Sequence, residues 1–322
     1  MRREGSPWEG LGTVYIKELT DHLSSIRMLL LELLILAVSV VFVVLVINNI
    51  RDTTAEDPFV LLKLFTSGPS GMSLIFILGI LIPVLAIALG FDAINGEHNR
   101  RTMSRILSHP IYRDALLAGK FLGALTTLGF GMLCLWLLVI GFGIVFLGIT
   151  PSSEEIIRSA AFLVITLCYA GTWLALAILL SIVFRSAATA VLVGLGVWLF
   201  LTFLWPILAA VAANVIAPPE LPYAQLGVPT PATYAWAEWL SRLSPNQLFS
   251  EAATALLSPD VRAAGLDPVT QYIRLQGAVP GSPLPLSESL AVAWPLGVAL
   301  IAGVIALFVA GYVVFQRQEV RA

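Results

Sequence analysis

The chain has 322 residues, of which 58% are hydrophobic and 12% are charged. Ordinary soluble domains carry about 25% charged residues, so this composition excludes a soluble globular protein and indicates an integral membrane protein. The formal net charge of -2 gives no sign of a nucleic-acid partner. Cys134 and Cys168 both lie inside apolar runs, which argues against a disulfide framework.

The first predicted element is an amphipathic helix over residues 11–27, which together with the preceding residues forms a cytoplasmic segment, 1–27. Apolar side chains recur at helical spacing, at Leu11, Tyr15, Leu19, Leu23 and Ile26. Charged side chains occupy other positions around the helix. This pattern is typical of a helix that lies on the membrane surface. A polar N-terminal helix packed on the protein's own loops fits the same pattern.

Six apolar runs are long enough to cross the bilayer, whose hydrocarbon core of about 30 Å needs about 20 helical residues. The runs fall near residues 28–48, 72–91, 121–148, 160–184, 187–214 and 290–315. We therefore predict an all-α polytopic membrane protein with six transmembrane helices. If the N-terminus is cytoplasmic, most of the 18 Lys and Arg residues lie inside, as the positive-inside rule requires. The predicted location is the plasma membrane, with both termini in the cytoplasm.

Two ionisable residues lie within these runs or at their ends. Glu32 is about one turn inside the first run and Lys120 stands at the start of the third, so both side chains can snorkel toward water. The spans carry no carboxylate or histidine near the midplane, which ion-coupled transporters and proton pumps usually need. If the protein moves a substrate, the energy must therefore enter from elsewhere.

Proline and glycine mark bends and close contacts in the spans. Pro83 in the second run and Pro206 in the fifth are expected to kink their helices, as hinges or as static bends. The third run is rich in glycine, including Gly119 and Gly123 near its start, and the fifth also contains glycines. Small residues let helices approach closely, so these runs are predicted to pack inside the bundle or at a dimer interface.

The segment 92–120, between the second and third runs, is polar and basic. Asn95 is predicted to cap a short helix, with Glu97 in its first turn, four residues before Arg101. An apolar stripe of Met103, Ile106 and Leu107 lies opposite a basic face of Arg100, Arg101 and Arg105. Pro110 should end this helix, and Asp114 should cap the helix that re-enters the membrane. Such a helix suits a groove on a soluble partner, although a basic loop that only holds topology is the alternative.

The order of residues in this segment resembles the first cytoplasmic loop of type 2 ATP-binding-cassette (ABC) export permeases. The matching positions are Glu97, a short basic helix, Leu107-Ser108-His109-Pro110, Arg113 and Leu116-Leu117-Ala118-Gly119-Lys120. Members of that family commonly have Gly before the Thr, where this chain has Arg101 before Thr102. The helix predicted over residues 11–27 likewise resembles the elbow helix of the family.

The resemblance implies that segment 92–120 carries a cytoplasmic coupling helix that docks on a separate ATPase subunit. The coupling residues that it implies are Glu97, Arg100, Arg101, Thr102, Arg105, Leu107, Pro110, Arg113 and, in the short turn between the fourth and fifth runs, Arg185. It also implies a second permease chain, in a homodimer or a heterodimer. No cofactor is expected in this chain, and ATP and Mg²⁺ are expected on the partner ATPase.

Residues 215–289 hold more than half of the chain's 19 prolines and are predicted to form an external cap or loop. Ser244 as cap, Pro245 at the first position and Gln247 as capping-box partner predict a helix that stops near Pro259. Aromatic residues upstream suit the membrane interface, at Tyr234, Trp236 and Trp239. The segment is expected to meet an external partner, to cover the exit path or to brace the bundle.

The stretch from Leu243 to Ala252 resembles permeases associated with copper-enzyme maturation, such as nitrous oxide reductase assembly. The chain then ends with the last span and a cytoplasmic tail, residues 290–322. Residues 28–214 hold the first five spans.

No catalytic motif is visible in the sequence. Phe121 follows the Gly-Lys pair at 119–120, so this pair is not part of a phosphate-binding loop, and the three histidines lack metal-ligand spacing. This absence predicts a non-enzymatic protein, and the resemblance implies the membrane-spanning permease subunit of a type 2 ABC exporter, in contact with lipid and driven by ATP hydrolysis on a separate chain. The alternatives are an ATP-independent carrier or channel, and a membrane anchor or assembly factor that works through the external segment. An intramembrane enzyme is the least favoured.

Overall fold

The computed structural model describes residues 10–50, 59–68, 72–99, 113–148, 150–218, 229–258 and 285–317. Over these ranges the chain is helical and contains no strand, which confirms the all-α prediction. The helices are α1 (Leu11–Leu23), α2 (Ile26–Ile50), α3 (Val60–Thr66), α4 (Leu74–Gly90), α5 (Asn95–Asn99), α6 (Arg113–Leu147), α7 (Ser153–Val183), α8 (Ala187–Leu199), a π-helix (Phe200–Leu204), α9 (Trp205–Ile216), α10 (Pro231–Ser241), α11 (Pro245–Leu257) and α12 (Leu286–Arg317).

Six helical segments of the described chain are long and apolar enough to cross a membrane, as the sequence predicted. They run over Met28–Asn48, Leu74–Glu97, Arg113–Leu147, Ser153–Val183, Ala187–Ile216 and Leu286–Arg317. The third and fourth begin earlier than the apolar runs, because polar residues fill the first turns of α6 and α7. At 35 residues, α6 is much longer than the ~20 residues that a bilayer needs, so part of it extends beyond the hydrocarbon core.

The centre of the bundle is α7, which packs against α4, α6, α11 and α12. Its start is fixed by a capping box, in which Ser152 Oγ accepts from the N–H of Glu155 and the Glu155 carboxylate accepts from the N–H of Ser152. Oε1 of Glu155 also accepts from the N–H of Leu61 at 2.9 Å. This bond holds α3, a short buried helix that the sequence analysis did not predict.

Arg158 lies inside α7 and has no exposed surface, although the apolar pattern placed it just before the fourth span. Its guanidinium donates to Oε1 of Glu154 at 2.8 Å, to the carbonyl of Leu256 at 3.2 Å and to the hydroxyl of Ser289 at 2.7 Å. The side chain therefore joins α7, α11 and α12.

α1 packs against α6. A Cβ atom on Gly119 would lie 2.7 Å from Cγ1 of Val14, and one on Gly123 would lie 2.9 Å from Cβ of Glu18. These two glycines of α6 therefore let the helices approach closely. Leu23, at the end of α1, stays about half exposed. α1 therefore packs on α6 through the face that carries Val14 and Glu18, and its position on the membrane surface stays a prediction.

Pro206 follows a five-residue π-helix, Phe200–Leu204. Proline has no N–H to bond the carbonyl four residues earlier, here that of Thr202, and its ring crowds that carbonyl. A wider turn relieves this crowding, so the irregularity predicted at Pro206 takes the form of a π-turn. Pro83, in contrast, lies inside α4 without ending it.

α10 and α11, the helices described within residues 215–289, pack against the spans, and the external position of this segment stays a prediction. α10 runs back along α9. At one end the hydroxyl of Thr233 donates to the carbonyl of Ala217 at 2.6 Å, and at the other the indole N–H of Trp205 donates to the carbonyl of Leu240 at 2.8 Å.

α11 then returns between α4 and α7. The ring of Phe249 stacks on that of Tyr169, with centroids 4.5 Å apart. The hydroxyl of Tyr169 donates to the carbonyl of Gly79 on α4 at 2.8 Å. Because Tyr169 is near the middle of α7, α11 reaches the centre of the bundle and its apolar face is buried there.

α11 begins and ends close to the predicted limits, with Ser244 at the N-cap and Pro245 at the first helical position, but the predicted capping hydrogen bonds are not formed. Ser244 makes no side-chain hydrogen bond to the helix. Nε2 of Gln247 donates instead to Oε1 of Glu251 at 2.9 Å, and Nε of Arg242 donates to Oε2 of Glu251 at 2.9 Å. A buried carboxylate needs such donors. The Gln247 side chain therefore bonds Glu251 instead of the start of α11.

Candidate functional site

Three of the predicted coupling residues lie in the described part of the chain, namely Glu97, Arg113 and Arg185. Outside it lie Arg100, Arg101, Thr102, Arg105, Leu107 and Pro110, together with the stripe residues Met103 and Ile106. The structure therefore gives the two ends of segment 92–120, which are α5 and the first turns of α6.

The start of α5 is held by α7. Oγ of Ser181 accepts from the N–H of Ile94 at 3.0 Å and from the N–H of Asn95 at 3.2 Å. The predicted capping role of Asn95 is wrong, because its Nδ2 donates to the carbonyls of Phe91 at 3.1 Å and Phe184 at 3.3 Å. Since those carbonyls belong to the ends of α4 and α7, the side chain fixes α5 to both helices.

The short turn between α7 and α8 lies beside the end of α5. Nδ2 of Asn99 donates to the carbonyl of Arg185 at 3.2 Å. The two segments that the sequence analysis assigned to one cytoplasmic partner are therefore neighbours in the fold.

The two ends of segment 92–120 meet at Lys120. Its Nζ lies 2.8 Å from Oε1 of Glu18 and 3.4 Å from Oε1 of Glu97. Only 4% of the Lys120 side chain is exposed, so the prediction that it snorkels is wrong. The cause is α1, which covers this part of α6 and supplies Glu18. A buried ammonium needs such carboxylates, since an unpaired charge is costly to desolvate.

Glu32, the other residue predicted to snorkel, faces α6 at a different place. A Cβ atom on Gly131 would lie 3.5 Å from its Oε1. That oxygen is buried and has no hydrogen-bond partner among the described residues. The carboxylate lines an apolar cavity of about 150 Å³ that also contacts Leu85 and Leu128.

A larger cavity, of about 330 Å³, adjoins Lys120 and lies between α1, α4, α5 and α6. Its lining includes Asp21, His22 and Asp92. Burial lowers the pKa of the His22 imidazole below its ordinary value. Within the described ranges no group of His, Cys, Asp and Glu is arranged to hold a metal ion. The charged side chains around Lys120 are suited to holding α1, α5 and α6 together.

The family model for ABC-2 family transporter proteins matches residues 13–320. The chain belongs to the ABC-2 transporter family. It is 32% identical over 247 residues to the probable ABC transporter permease protein NosY of Pseudomonas aeruginosa, a match that covers 73% of this chain and 78% of the relative. A probable permease of the same name from Stutzerimonas stutzeri is 30% identical over 141 residues, which cover 42% of this chain and 49% of the relative.

Membership of the ABC-2 family gives the general role of the chain, a multi-pass membrane permease subunit of an ABC transporter. The family implies an ATPase partner and a dimeric permease. The resemblance found in segment 92–120 is thereby confirmed at the level of the family.

In this ABC-2 permease Arg113 is bound to the last span. Its Nη1 donates to the carbonyls of Phe315 at 3.2 Å and Gln316 at 3.4 Å, and its guanidinium lies 5.7 Å from the centre of the Phe315 ring. A cation suits the C-terminal end of a helix such as α12. Asp114, predicted to cap α6, accepts from Nε2 of Gln316 at 2.6 Å. The end of segment 92–120 is therefore attached to α12.

Two residues that contact Lys120 or the start of α5 were not predicted, Glu18 and Ser181. The sequence holds a signal for Glu18, which lies four residues after Val14 on the face of α1 that also carries Leu11. A carboxylate on an otherwise apolar face requires a partner. Nothing comparable distinguishes Ser181, because a serine in an apolar helix usually bonds its own backbone.

Proposed function

We propose that this chain is the permease of an ABC exporter in which ATP hydrolysis on a separate subunit moves α5 and the residues that follow it. ATP and Mg²⁺ bind to that ATPase. The coupling surface consists of the residues predicted from segment 92–120 and of Arg185. A second permease chain, identical or different, completes the transporter, and α1, α5 and both termini face the cytoplasm.

The observation that carries this proposal is the position of Lys120 between Glu97 and Glu18. Glu97 lies on α5, which follows α4 after a four-residue turn, while Lys120 lies on α6 and Glu18 on α1. Inside a protein the effective dielectric constant is low, so the energy of an ion pair changes steeply with distance. A displacement of α5 therefore acts on α1 and α6 through charge.

A second connection leads from α5 to α7 through hydrogen bonds. Ser181 accepts two N–H groups at the start of α5, and Asn95 donates to the end of α7. These hydrogen bonds, the direct chain connection to α4 and the ion pair to α6 join α5 to three spans, α4, α6 and α7. A push on α5 is expected to tilt these spans together.

The buried charges also agree with an energy source on a separate subunit. Lys120 and Arg158 each bind a carboxylate of the same chain, Glu18 and Glu154 respectively. Both pairs have a structural explanation, and neither lies near the middle of a span, where a proton or sodium relay usually has its carboxylates. This supports ATP as the driving force, and the resemblance of segment 92–120 to export permeases supports the outward direction.

Photo-crosslinking tests the proposed coupling. A photoreactive amino acid replaces Arg105 in one variant and Arg185 in a second, native membranes are irradiated, and captured proteins are identified by mass spectrometry. We expect both positions to capture a soluble ATPase with a phosphate-binding loop. A control variant with the same amino acid in place of Arg262, in the segment 215–289, should capture none.

The alternatives predict a different result. If well-labelled and folded variants capture no ATPase from either position, the coupling proposal is wrong, and a membrane anchor or an ATP-independent carrier is favoured. Capture from the control as well as from the two test positions would show that the contact is not specific.

A further inference from the structure

A cavity of about 210 Å³ lies between α4, the π-helix and α11. Its polar lining consists of Ser73, Thr202, Asn246, Ser250 and Thr254, and phenylalanine rings form much of the remainder. Among the residues that the structure describes, no charged side chain lines it. Ser73 precedes the first residue of α4, while α5 follows the last, so the cavity is near the end of the bundle opposite α5.

Thr202 differs from most of the other threonines in the described helices. The usual arrangement, a hydroxyl that donates to the carbonyl four residues earlier, is found at Thr126, Thr127, Thr166, Thr172 and Thr254. Oγ1 of Thr202 is buried and has no partner in the part of the chain that the structure describes. A buried hydroxyl without a partner is unfavourable and calls for an explanation.

The π-helix supplies part of that explanation. Thr202 is its central residue and lies four residues before Pro206, which has no N–H to donate. π-turns occur frequently at functional sites. Across the cavity, Nδ2 of Asn246 donates to the carbonyl of Gly79 at 3.4 Å, which turns the amide oxygen away from that bond and leaves it able to accept. The cavity thus offers a hydroxyl and an amide oxygen to an occupant.

We propose that this cavity binds an uncharged polar part of the transported molecule, a hydroxyl- or amide-bearing group. The Thr202 hydroxyl and the Asn246 amide hold that group, and the rings of Phe76, Phe203 and Phe249 pack against its apolar portion. A charged group would lose its hydration without meeting a counter-ion, and is therefore rejected. The volume is below the roughly 300–1,000 Å³ of sites for drug-sized ligands, so the cavity takes a small molecule or one end of a larger one.

The position of the cavity connects it to the coupling site. One wall is α4, which leads directly into α5, so a displacement of α5 changes the distance between α4 and α11. As a step in transport this inference rests on the proposed function. As a binding site it does not, because binding is measurable without the ATPase.

The test uses three photoreactive probes with the same alkyl chain and diazirine. One is an alkyl glucoside, which is uncharged and carries hydroxyls, one an alkyltrimethylammonium and one an alkyl sulfonate. The full chain is placed in nanodiscs without nucleotide, and labelled peptides are mapped by mass spectrometry. We expect saturable labelling of α4 and α11 around the cavity by the glucoside alone.

Two matched variants decide whether Thr202 holds the probe. Thr202→Val removes the hydroxyl and keeps the shape, and should weaken glucoside labelling about fivefold, the effect of one hydrogen bond. Thr166→Val removes a hydroxyl that donates to its own helix and should leave labelling unchanged. If Thr202→Val does not give folded protein, Asn246→Leu removes the other group that holds the probe, with the same expected loss.

Equal labelling of the cavity by all three probes overturns the inference, as does labelling that neither Thr202→Val nor Asn246→Leu weakens. The outcome is separate from that of the crosslinking at positions 105 and 185. Capture of an ATPase without labelling of the cavity refutes this inference alone. Labelling of the cavity without capture of an ATPase refutes the proposed coupling alone.

Discussion

Nζ of Lys120 lies 2.8 Å from Oε1 of Glu18, a residue 102 positions earlier in the chain. The glycines at 119 and 123 make this pair possible, because α1 approaches α6 closely enough there to cover the lysine. Glu97 completes the group from α5. A side chain that the sequence would place at the membrane surface thus becomes the junction of three helices.

Lys120→Met is expected to lower the free energy of unfolding by about 3–5 kcal/mol, because the largely buried carboxylate of Glu18 loses its buried counter-ion and keeps only the exposed Lys17. The double variant Lys120→Met/Glu18→Gln should lose less than the sum of its single variants, since that carboxylate is then removed as well. Denaturant unfolding of the purified chain in detergent measures all three values.

Lys17→Met is the matched control. Lys17 also pairs with Glu18, at 3.1 Å, but 54% of its side chain is exposed. Exposed ion pairs contribute at most about 1 kcal/mol. A loss in Lys17→Met as large as that in Lys120→Met would contradict the assignment of Lys120 as the junction.

Gly119→Ala is expected to loosen α1. The added Cβ would lie 2.7 Å from Cγ1 of Val14, so α1 must move away from α6, at a cost of about 1–3 kcal/mol. Limited proteolysis should then cleave the chain within residues 10–25 faster than in the wild type. Gly141→Ala is the control, because a Cβ there meets no atom within 4 Å and alanine favours the helix. Equal cleavage of the two variants would show that close packing at Gly119 does not hold α1.

Ser181→Ala is expected to release the start of α5. The N–H groups of Ile94 and Asn95 lose their common acceptor, which costs about 1–3 kcal/mol locally. Hydrogen exchange of these two amides should accelerate, and the yield of ATPase captured from position 105 should fall. Ser181→Thr keeps a hydroxyl and should restore much of the protection. Unchanged exchange in Ser181→Ala would mean that α5 is held by other contacts.

The six spans were predictable because each is a local property, a run of about 20 apolar residues. The position of α11 was not. Its limits follow from Pro245 and Pro259, but its burial depends on Phe249 meeting Tyr169, a residue 80 positions away on a helix whose apolar surface offers many equivalent partners. Composition indicated a loop because most of the prolines in this region lie outside α10 and α11.

The candidate site, like the fold, was predictable from the sequence only in part. Glu97 and Lys120 both belong to the pattern that identified segment 92–120, yet their contact was not predicted, because Glu97 had a nearer candidate partner in Arg101. Glu18 and Ser181 come from distant parts of the chain. Pairings across a hundred residues depend on how whole helices pack, which no short pattern specifies.

The last prediction concerns pH. Burial lowers the pKa of His22 below its ordinary value near 6.5, with Lys120 acting in the same direction and the carboxylates of Glu18, Asp92 and Asp21 opposing. The unfolded chain therefore binds a proton at this residue at a higher pH than the folded chain, so the contribution of His22 to stability falls as the pH drops through 6.5 toward the folded pKa.

His22→Gln cannot bind that proton. The free energy of unfolding of the wild type, relative to His22→Gln, should be constant above about pH 7.5 and should decrease between pH 7 and 5.5. Groups that do not interact with His22 titrate equally in both proteins and cancel in the difference. A relative gain for the wild type as the pH falls would instead mean that the three carboxylates outweigh burial, and that His22 is a positively charged member of the cluster around Lys120.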